Sequence, residues 1–180
     1  RDSSPDGRTV VALKVLLAPD ERARRRLVHE AKALTRLRHP GIVAVLDASE
    51  DGGRPFLALE LVRGRSLEER LEADGPLPPD EAAVVLRDVA RALAHAHAQG
   101  VVHRDLKPAN IIIEESTGRP KITDFGVARD RTLLRSVTVS GELLGTPAYM
   151  APEQIKGERS IDHRVDIYAL GVILFEAVAG

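Results

Sequence analysis

Short apolar runs separated by turn residues fill the first sixty positions, a pattern typical of a small sheet with one helix. Thr9 to Leu17 is rich in valine and leucine and predicts a strand, in which alternation puts Lys14 on a largely apolar face. A helix is predicted to begin at Pro19-Asp20-Glu21 and to end before Pro40, with one apolar stripe that also carries Glu30. A charged group on an inward face needs a partner, so Lys14 and Glu30 call for an explanation.

The next elements predict two more strands and then a change of structure. Residues 42–46 and 56–62 form apolar runs joined by a turn-rich stretch at 50–54. Arg63-Gly64-Arg65 interrupts the pattern, and Ser66 with Glu69 forms a capping box that opens a new helix. We therefore place a lobe boundary between residues 1–62 and 63–180.

Helices and one hairpin are predicted for the remainder. Pro78 to Gly100 is a long amphipathic helix, and Ile111–Ile113 and Lys121–Thr123 are short strands around a turn. An apolar helix then runs from about Asp166 to Val178, and we expect it to be buried. Residues 127–150 have little apolar periodicity and are predicted to be a loop.

Composition narrows the class of protein. With 180 residues, 43% hydrophobic and 29% charged, the chain can bury a core and is not a disordered tail. It has no cysteine, which fits a reducing cytoplasm and excludes a disulfide framework. A net charge of −1 and 3% aromatic residues argue against a nucleic-acid binder. The longest apolar run contains Glu176 and is too short to cross a bilayer, so we expect no membrane segment in this chain.

The candidate chemistry lies in the block His103-Arg104-Asp105-Leu106-Lys107-Pro108-Ala109-Asn110 and in Asp124-Phe125-Gly126 beyond the hairpin. Asn110 and Asp124 are oxygen ligands of the kind that Mg²⁺ accepts, and the hairpin would bring them together. Lys107 can reach a transferring phosphate, and Asp105 can accept or orient a hydroxyl. Taken alone, His103-Arg104-Asp105 or Asp124-Phe125-Gly126 is more often a turn. The complete eight-residue block followed by the second tripeptide is a specific signal for phosphoryl-transfer chemistry.

Together these motifs resemble the eukaryotic-type serine/threonine protein kinases, in the bacterial style. The resemblance implies an α+β, bilobal kinase fold and an enzyme that transfers the γ-phosphate of ATP to a protein serine or threonine, with Mg²⁺ or alternatively Mn²⁺. The resemblance also implies an ion pair between Lys14 and Glu30. The alternative partner of Glu30 is Arg26, four residues earlier on the same helix. The resemblance further implies an adenine site formed by the gatekeeper position, the hinge backbone and two apolar side chains: Leu59, Glu60, Val62, Ala12 and Ile112.

By the same resemblance, residues 127–150 are an activation loop that ends at Ala151-Pro152-Glu153. Thr138 and Ser140 are the expected autophosphorylation sites, with Ser136 as a third candidate. We hypothesise that a phosphate on Thr138 binds Arg104, Arg129 and Arg26 and so orders the loop. Two further implied roles are contact with the substrate chain by Thr146 and anchoring of the catalytic loop by a buried Asp166.

The ends depart from the family pattern, because residues 1–8 contain no Gly-rich phosphate loop and the chain stops at Gly180. We expect a kinase domain that is partial at both ends. Two other classes stay open: a pseudokinase that serves as an ATP-binding scaffold, and a small-molecule phosphotransferase with a kinase-like fold. The expected partners are ATP and protein substrates, with a homodimer as an arrangement for autophosphorylation. The expected location is the cytoplasm, and a membrane anchor outside this chain stays open.

Overall fold

Two small antiparallel sheets and a set of helices make up the computed structural model, which describes residues 10–16, 21–125, 147–158 and 160–180. Within the first helix, the side chains of residues 22, 23, 26 and 30 lie outside the description. The strands are β1 Val11–Val15, β2 Val45–Asp51, β3 Arg54–Glu60, β4 Gly64–Ser66, β5 Ile111–Glu114 and β6 Pro120–Ile122. The helices are α1 Glu21–Leu34, α2 Leu67–Asp74, α3 Pro79–Ala98, α4 Pro152–Ile155 and α5 Arg164–Ala179, with 3-10 turns at Pro108–Asn110 and Pro147–Tyr149.

The first sheet has the order β1-β3-β2, and its geometry confirms the predicted face of Lys14. In β1 the odd positions are exposed, with Leu13 62% accessible, whereas Ala12 and Lys14 are half-buried and the following Leu16 is buried. Lys14 lies opposite Leu57 of β3, and Ala12 lies opposite Leu59. The sheet therefore presents a lysine on the side that faces the rest of the molecule.

The second strand is shifted from its predicted position at residues 42–46. It begins at Val45 and runs to Asp51, because the turn consists only of Gly52 and Gly53, whose φ angles are +52° and +76°. Glycine adopts these angles without a Cβ clash, so the polar residues on either side can pair as strand. Ile42 and Val43 contact the other sheet instead, since Ile42 forms a bridge with Ile122 and the Val43 amide donates to the Ile122 carbonyl at 2.8 Å.

The capping box predicted at Ser66 and Glu69 is confirmed. The Glu69 amide donates to the Ser66 hydroxyl oxygen at 3.1 Å, and the Ser66 amide donates to the Glu69 carboxylate at 2.8 Å. Here the chain passes from the first sheet to the second, whose order is β4-β5-β6. The predicted hairpin is likewise confirmed as β5 and β6, joined by a turn with Gly118 at φ +67°.

Helices α3 and α5 pack against each other and form the core beneath the second sheet. Buried residues of α3 include Val85, Val89 and Leu93, which recur at four-residue steps and form the inward face of the predicted amphipathic helix. The prediction that the last helix is buried on most sides is wrong for the described part of the chain. Only the face of α5 that meets α3 and the Pro147–Tyr149 turn is buried there. The opposite side of α5 is exposed at Ile167, Tyr168, Leu174, Phe175 and Val178. No helix within the described ranges is long and apolar enough to cross a membrane.

Candidate active site

A cleft between the two sheets contains most of the polar residues singled out in the sequence. Its wall on the first sheet is mainly apolar, and its floor is formed by the catalytic block and the end of the hairpin. The cleft is lined by Lys14, Leu16, Leu34, Val43, Val45, Leu57, Leu59, Asp105, Lys107, Asn110, Thr123, Asp124 and Phe125. Six candidates from separate segments of the sequence thus meet in one place: Lys14, Leu59, Asp105, Lys107, Asn110 and Asp124.

Four other candidates are not among the lining residues: Ala12, Glu60, Val62 and Ile112. Ala12 is half-buried and pairs with Leu59 across the sheet, next to the cleft wall. Ile112 is in β5, opposite Lys121. Their predicted contacts with adenine stay predictions. The side chain of Glu30 lies outside the described residues, so its pairing with Lys14 stays a prediction as well.

The described partner of Lys14 is the acid at the end of the hairpin. The Lys14 Nζ lies 2.7 Å from Asp124 Oδ1, and both side chains are accessible, at 41% and 38%. The backbone of Asp124 has a φ of +61°, a left-handed conformation that is uncommon for a residue with a Cβ. The ion pair therefore joins the first sheet to a carboxylate held in an unusual conformation at the floor of the cleft.

Asn110 and Asp124 reach the same cleft through the hairpin, as predicted. The Thr123 amide donates to the Asn110 carbonyl at 3.0 Å, which ties the two ends of the hairpin together. The Asn110 side-chain nitrogen donates to the Asp105 carbonyl at 2.8 Å, so the amide oxygen is the atom left to a cation. Within the described residues no three His, Cys, Asp or Glu side chains cluster closely enough to hold a metal. These two oxygen donors fit Mg²⁺ only if a ligand supplies further oxygens.

Asp166 anchors the catalytic block from below, as predicted. Its carboxylate is 1% exposed and accepts three hydrogen bonds. The donors are the His103 amide at 2.8 Å, the Arg104 amide at 2.8 Å and His97 Nε2 at 2.7 Å. A buried carboxylate requires this many partners, because each unsatisfied lone pair in the interior costs desolvation energy. The start of the block is therefore held by a charge on α5.

His103 is a neutral structural residue in this arrangement. Its Nδ1 accepts from the Asp105 amide at 3.2 Å, and its Nε2 therefore carries the hydrogen donated to the Thr123 carbonyl at 2.9 Å. Burial lowers the pKa of His103 below its ordinary value, against smaller opposing effects of the Thr123 carbonyl and nearby acids. Its ring also packs against Phe125, with centroids 4.7 Å apart. The histidine thereby links the catalytic block to the end of β6.

Two side-chain contacts around the site that the sequence does not predict are those of His97 and of the Glu60 carboxylate. His97 continues the four-residue steps of Val89 and Leu93 and so lies on the inward face of α3, where it binds Asp166. A histidine on an inward helix face needs a polar partner, and this is the signal that the sequence contains. The carboxylate of Glu60 binds Lys121 Nζ at 2.9 Å and the Ala44 amide at 3.2 Å, which links β3 to β6. No local sequence pattern predicts that contact.

Most residues of the predicted activation loop lie outside the described part of the chain. Among them are the residues with a predicted role: Arg129, Ser136, Thr138, Ser140 and Thr146. The side chain of Arg26 is not described either. Arg104 is described, and its side chain is exposed. Phosphorylation of the loop and its arginine clamp therefore stay predictions.

A small sheet with one helix, a second sheet on a helical base and a polar cleft between them define the protein kinase class of fold. Residues 4–180 match the protein kinase domain family, and the chain belongs to that family. This membership confirms the resemblance inferred from the sequence.

Curated proteins of similar sequence support the assignment. The serine/threonine-protein kinase PknL of Mycobacterium tuberculosis is 44% identical over 94% of this chain and 43% of its own length. The serine/threonine-protein kinase PrkC of Bacillus subtilis is 41% identical over 94% of this chain and 26% of its own length. The chain therefore spans less than half the length of these curated relatives.

A solved structure gives the corresponding likeness in three dimensions. It is the crystal structure of Rad53 1–466 in complex with AMP-PNP, which is 30% identical with a TM-score of 0.76. The likeness covers 94% of this chain and 41% of that one. The predicted α+β kinase fold is confirmed.

Proposed function

We propose that the protein is an ATP-dependent kinase that phosphorylates serine or threonine residues of proteins. The observation that carries the proposal is the meeting of Lys14, Asp105, Lys107, Asn110 and Asp124 in one cleft. Phosphoryl transfer depends mainly on positioning and on cations near the phosphate oxygens, and these five residues supply both. The names of the bacterial relatives support the same activity.

Each residue in the cleft has a role in this proposal. Lys14 binds the α- and β-phosphates. Its ion pair with Asp124 places the ammonium group at the floor of the cleft, where these phosphates would lie. Asn110 and Asp124 hold Mg²⁺, or alternatively Mn²⁺, which neutralises phosphate charge when bound. Lys107 contacts the transferring phosphate, and Asp105 orients the hydroxyl and accepts its proton as the transition state develops. Glu30 would hold Lys14 from α1.

The nucleotide base is assigned to the wall on the first sheet. Leu59 lines the cleft in β3, and Ala12 lies opposite Leu59 in the neighbouring strand β1. The backbone of Glu60 and Val62 then follows at the point where the chain crosses to the second sheet, with Ile112 beneath. We place the lobe boundary at this crossing, between residues 1–62 and 63–180.

Regulation and partners follow from the same proposal. One copy of the chain would phosphorylate Thr138 or Ser140 of another. The phosphate would bind Arg104, which is exposed and directly precedes Asp105, and would thereby order the loop. The substrates are proteins that offer a serine or threonine hydroxyl. We assign the domain to the cytoplasm, where ATP is present.

The test is the ATP- and Mg²⁺-dependent incorporation of phosphate by the full-length protein and by its Asp105→Asn variant. We expect the variant to lose about 1,000-fold or more of the rate, because the hydroxyl loses its acceptor. Asp88→Asn on α3 is the matched control and should retain the rate. Equal incorporation by wild type and Asp105→Asn would contradict the proposal. Nucleotide binding without any transfer would favour a scaffold, and transfer to small alcohols alone would favour a small-molecule phosphotransferase.

A further inference from the structure

Arg104, the residue before Asp105, is held through both its backbone amide and its backbone carbonyl. Arg104 has a φ of +66°, a left-handed conformation that is unfavourable for a residue with a Cβ. Its amide donates to Asp166 Oδ1 at 2.8 Å. Its carbonyl accepts from Gln154 Nε2 at 2.9 Å. An unfavourable conformation persists only where its surroundings determine it, and here an acid on α5 and an amide on α4 do so.

Gln154 is built for this contact. Its side chain is buried at 6% exposure, in the short helix α4 that follows Ala151. The Ala151 amide donates to Gln154 Oε1 at 3.1 Å, which assigns the oxygen to that side and the nitrogen to Arg104. Only a group with one acceptor and one donor satisfies both neighbours, because Ala151 offers an N–H and Arg104 offers a carbonyl. A carboxylate could accept from the first but would repel the second.

The direction of the Asp105 side chain depends on the peptide group between Arg104 and Asp105. The Arg104 carbonyl and the Asp105 amide belong to one planar group, so fixing the carbonyl fixes the plane from which the Asp105 Cα projects. The Asp105 amide is held in turn by His103 Nδ1 at 3.2 Å. Gln154 therefore acts on the carboxylate of Asp105 through the backbone and without touching the cleft, whose lining residues do not include it.

We propose that Gln154 is a positioning residue that orients Asp105 by holding the Arg104 carbonyl; this inference rests on the proposed kinase activity. Because α4 follows the turn Pro147–Tyr149, Gln154 also connects this described end of the stretch 127–150 to the catalytic block. Loss of its donor should lower the rate of transfer with little effect on nucleotide affinity, since Lys14 and Leu59 lie on the other side of the cleft.

The experiment compares Gln154→Glu and Gln154→Met in the full-length protein, with Gln99→Glu as control. Gln99 is the only other glutamine in the sequence and is exposed after α3, so it undergoes the same chemical change away from the site. At pH 8 we expect kcat to fall about tenfold or more in both Gln154 variants, with the KM for ATP within about twofold of wild type. Gln99→Glu should match wild type.

The pH profile separates positioning from packing. A protonated glutamic acid carries one O–H donor and one carbonyl acceptor, so it can replace the amide at both contacts. Burial and the facing carbonyl favour that neutral form. The kcat of Gln154→Glu relative to wild type at the same pH should therefore rise about threefold or more between pH 8 and pH 6. The ratio for Gln154→Met should stay constant.

Each alternative outcome is distinguishable. If wild type transfers phosphate and Gln154→Glu does so at the same rate, or if the two Gln154 variants show the same pH profile, the inference is overturned. If both variants lose their cooperative unfolding transition, it is overturned as well, since the residue would then serve stability. Absence of transfer by the wild-type protein would instead contradict the proposed function.

Discussion

Asp124 and Asp166 are held in opposite ways, although both belong to the candidate site. Asp166 is 1% exposed and accepts three hydrogen bonds from α3 and the catalytic block. Asp124 is 38% exposed and has one described side-chain partner, Lys14. A carboxylate that must bind a changing ligand has to remain accessible. One that holds backbone in place has to be buried and fully paired.

The contrast extends to the residues around each acid. The block from His103 to Asn110 is held by hydrogen bonds of Asp166, Gln154 and Thr123, and His97 in turn donates to Asp166. The first sheet reaches the floor of the cleft through accessible or partly buried ion pairs, Lys14–Asp124 and Glu60–Lys121. Partly exposed pairs contribute little to stability, so the floor of the cleft should be rigid and the sheet above it free to adjust. Substitutions on the two sides should therefore separate stability from activity.

The largest loss of stability is expected for Asp166→Ala. It leaves the His97 ring N–H and the amides of His103 and Arg104 buried without an acceptor. Breaking a buried charge network of this kind should lower the free energy of unfolding by about 3–5 kcal/mol. Urea denaturation of the purified protein measures it. Asp88→Ala, which removes only the ion pairs with Arg87 and Arg91 on the surface of α3, should cost less than about 1 kcal/mol. Equal losses would erase the contrast.

Lys14→Met should show the opposite pattern. We expect kcat/KM for ATP to fall about 100-fold, because a cation near the phosphates is lost. The free energy of unfolding should change by less than about 1 kcal/mol, since the ion pair is 41% and 38% exposed. Steady-state kinetics and urea denaturation on one preparation test both parts. Lys32→Met, in the last turn of α1, is the control and should change neither quantity. A large loss of stability would show that the pair also supports the fold.

How far the sequence predicts the structure depends on the distance between the residues involved. The box at Ser66 and Glu69 and the hairpin before Asp124 were predicted, because each is determined by residues that are near neighbours in the chain. The shifted start of β2 was not predicted. Val43 is apolar, as a residue of the first sheet would be, but its amide bonds to Ile122 of the second sheet. Apolar periodicity does not reveal which sheet a strand residue joins.

The same limit applies to the site. The two motifs identified Asp105, Lys107, Asn110 and Asp124, and the structure brings all four to one cleft. Gln154 is not predicted, because a glutamine two residues after a proline has no local signature and its partner Arg104 is 50 residues away. The bond between Glu60 and Lys121 spans 61 residues. Long-range polar contacts of this kind become visible only when the elements are packed.

Acid sensitivity provides a finer test of the buried side. Because burial lowers the pKa of His103, the unfolded chain takes up a proton near pH 6.5 that the folded chain does not. Stability is therefore complete above that pH and falls as the pH drops below it, by up to about 1.4 kcal/mol per unit.

The matched variants isolate this contribution. His103→Gln should be less stable at pH 7 but should show a flatter decline from pH 6.5 to 5 in urea denaturation. His29→Gln replaces an exposed histidine on α1 and should decline as wild type does. Burial and the nearby His95 also lower the pKa of His39, and both variants retain its contribution to the decline. An unchanged slope in His103→Gln would mean that the ring is protonated in the folded protein.

The smallest effect is expected at the capping box, whose two hydrogen bonds are exposed and do not involve Asp124 or Asp166. Ser66→Ala removes the acceptor of the Glu69 amide at the start of α2 and should cost about 1 kcal/mol. Ser116→Ala, in the exposed turn of the hairpin, is the control and should cost less than about 0.5 kcal/mol. Combining Ser66→Ala with Glu69→Ala should cost less than the sum of the single changes, because the two side chains belong to one box. Since neither variant alters the floor of the cleft, kcat should stay at the wild-type value; a loss of kcat would show that α2 also positions the catalytic block, which it contacts at the Pro108–Asn110 turn.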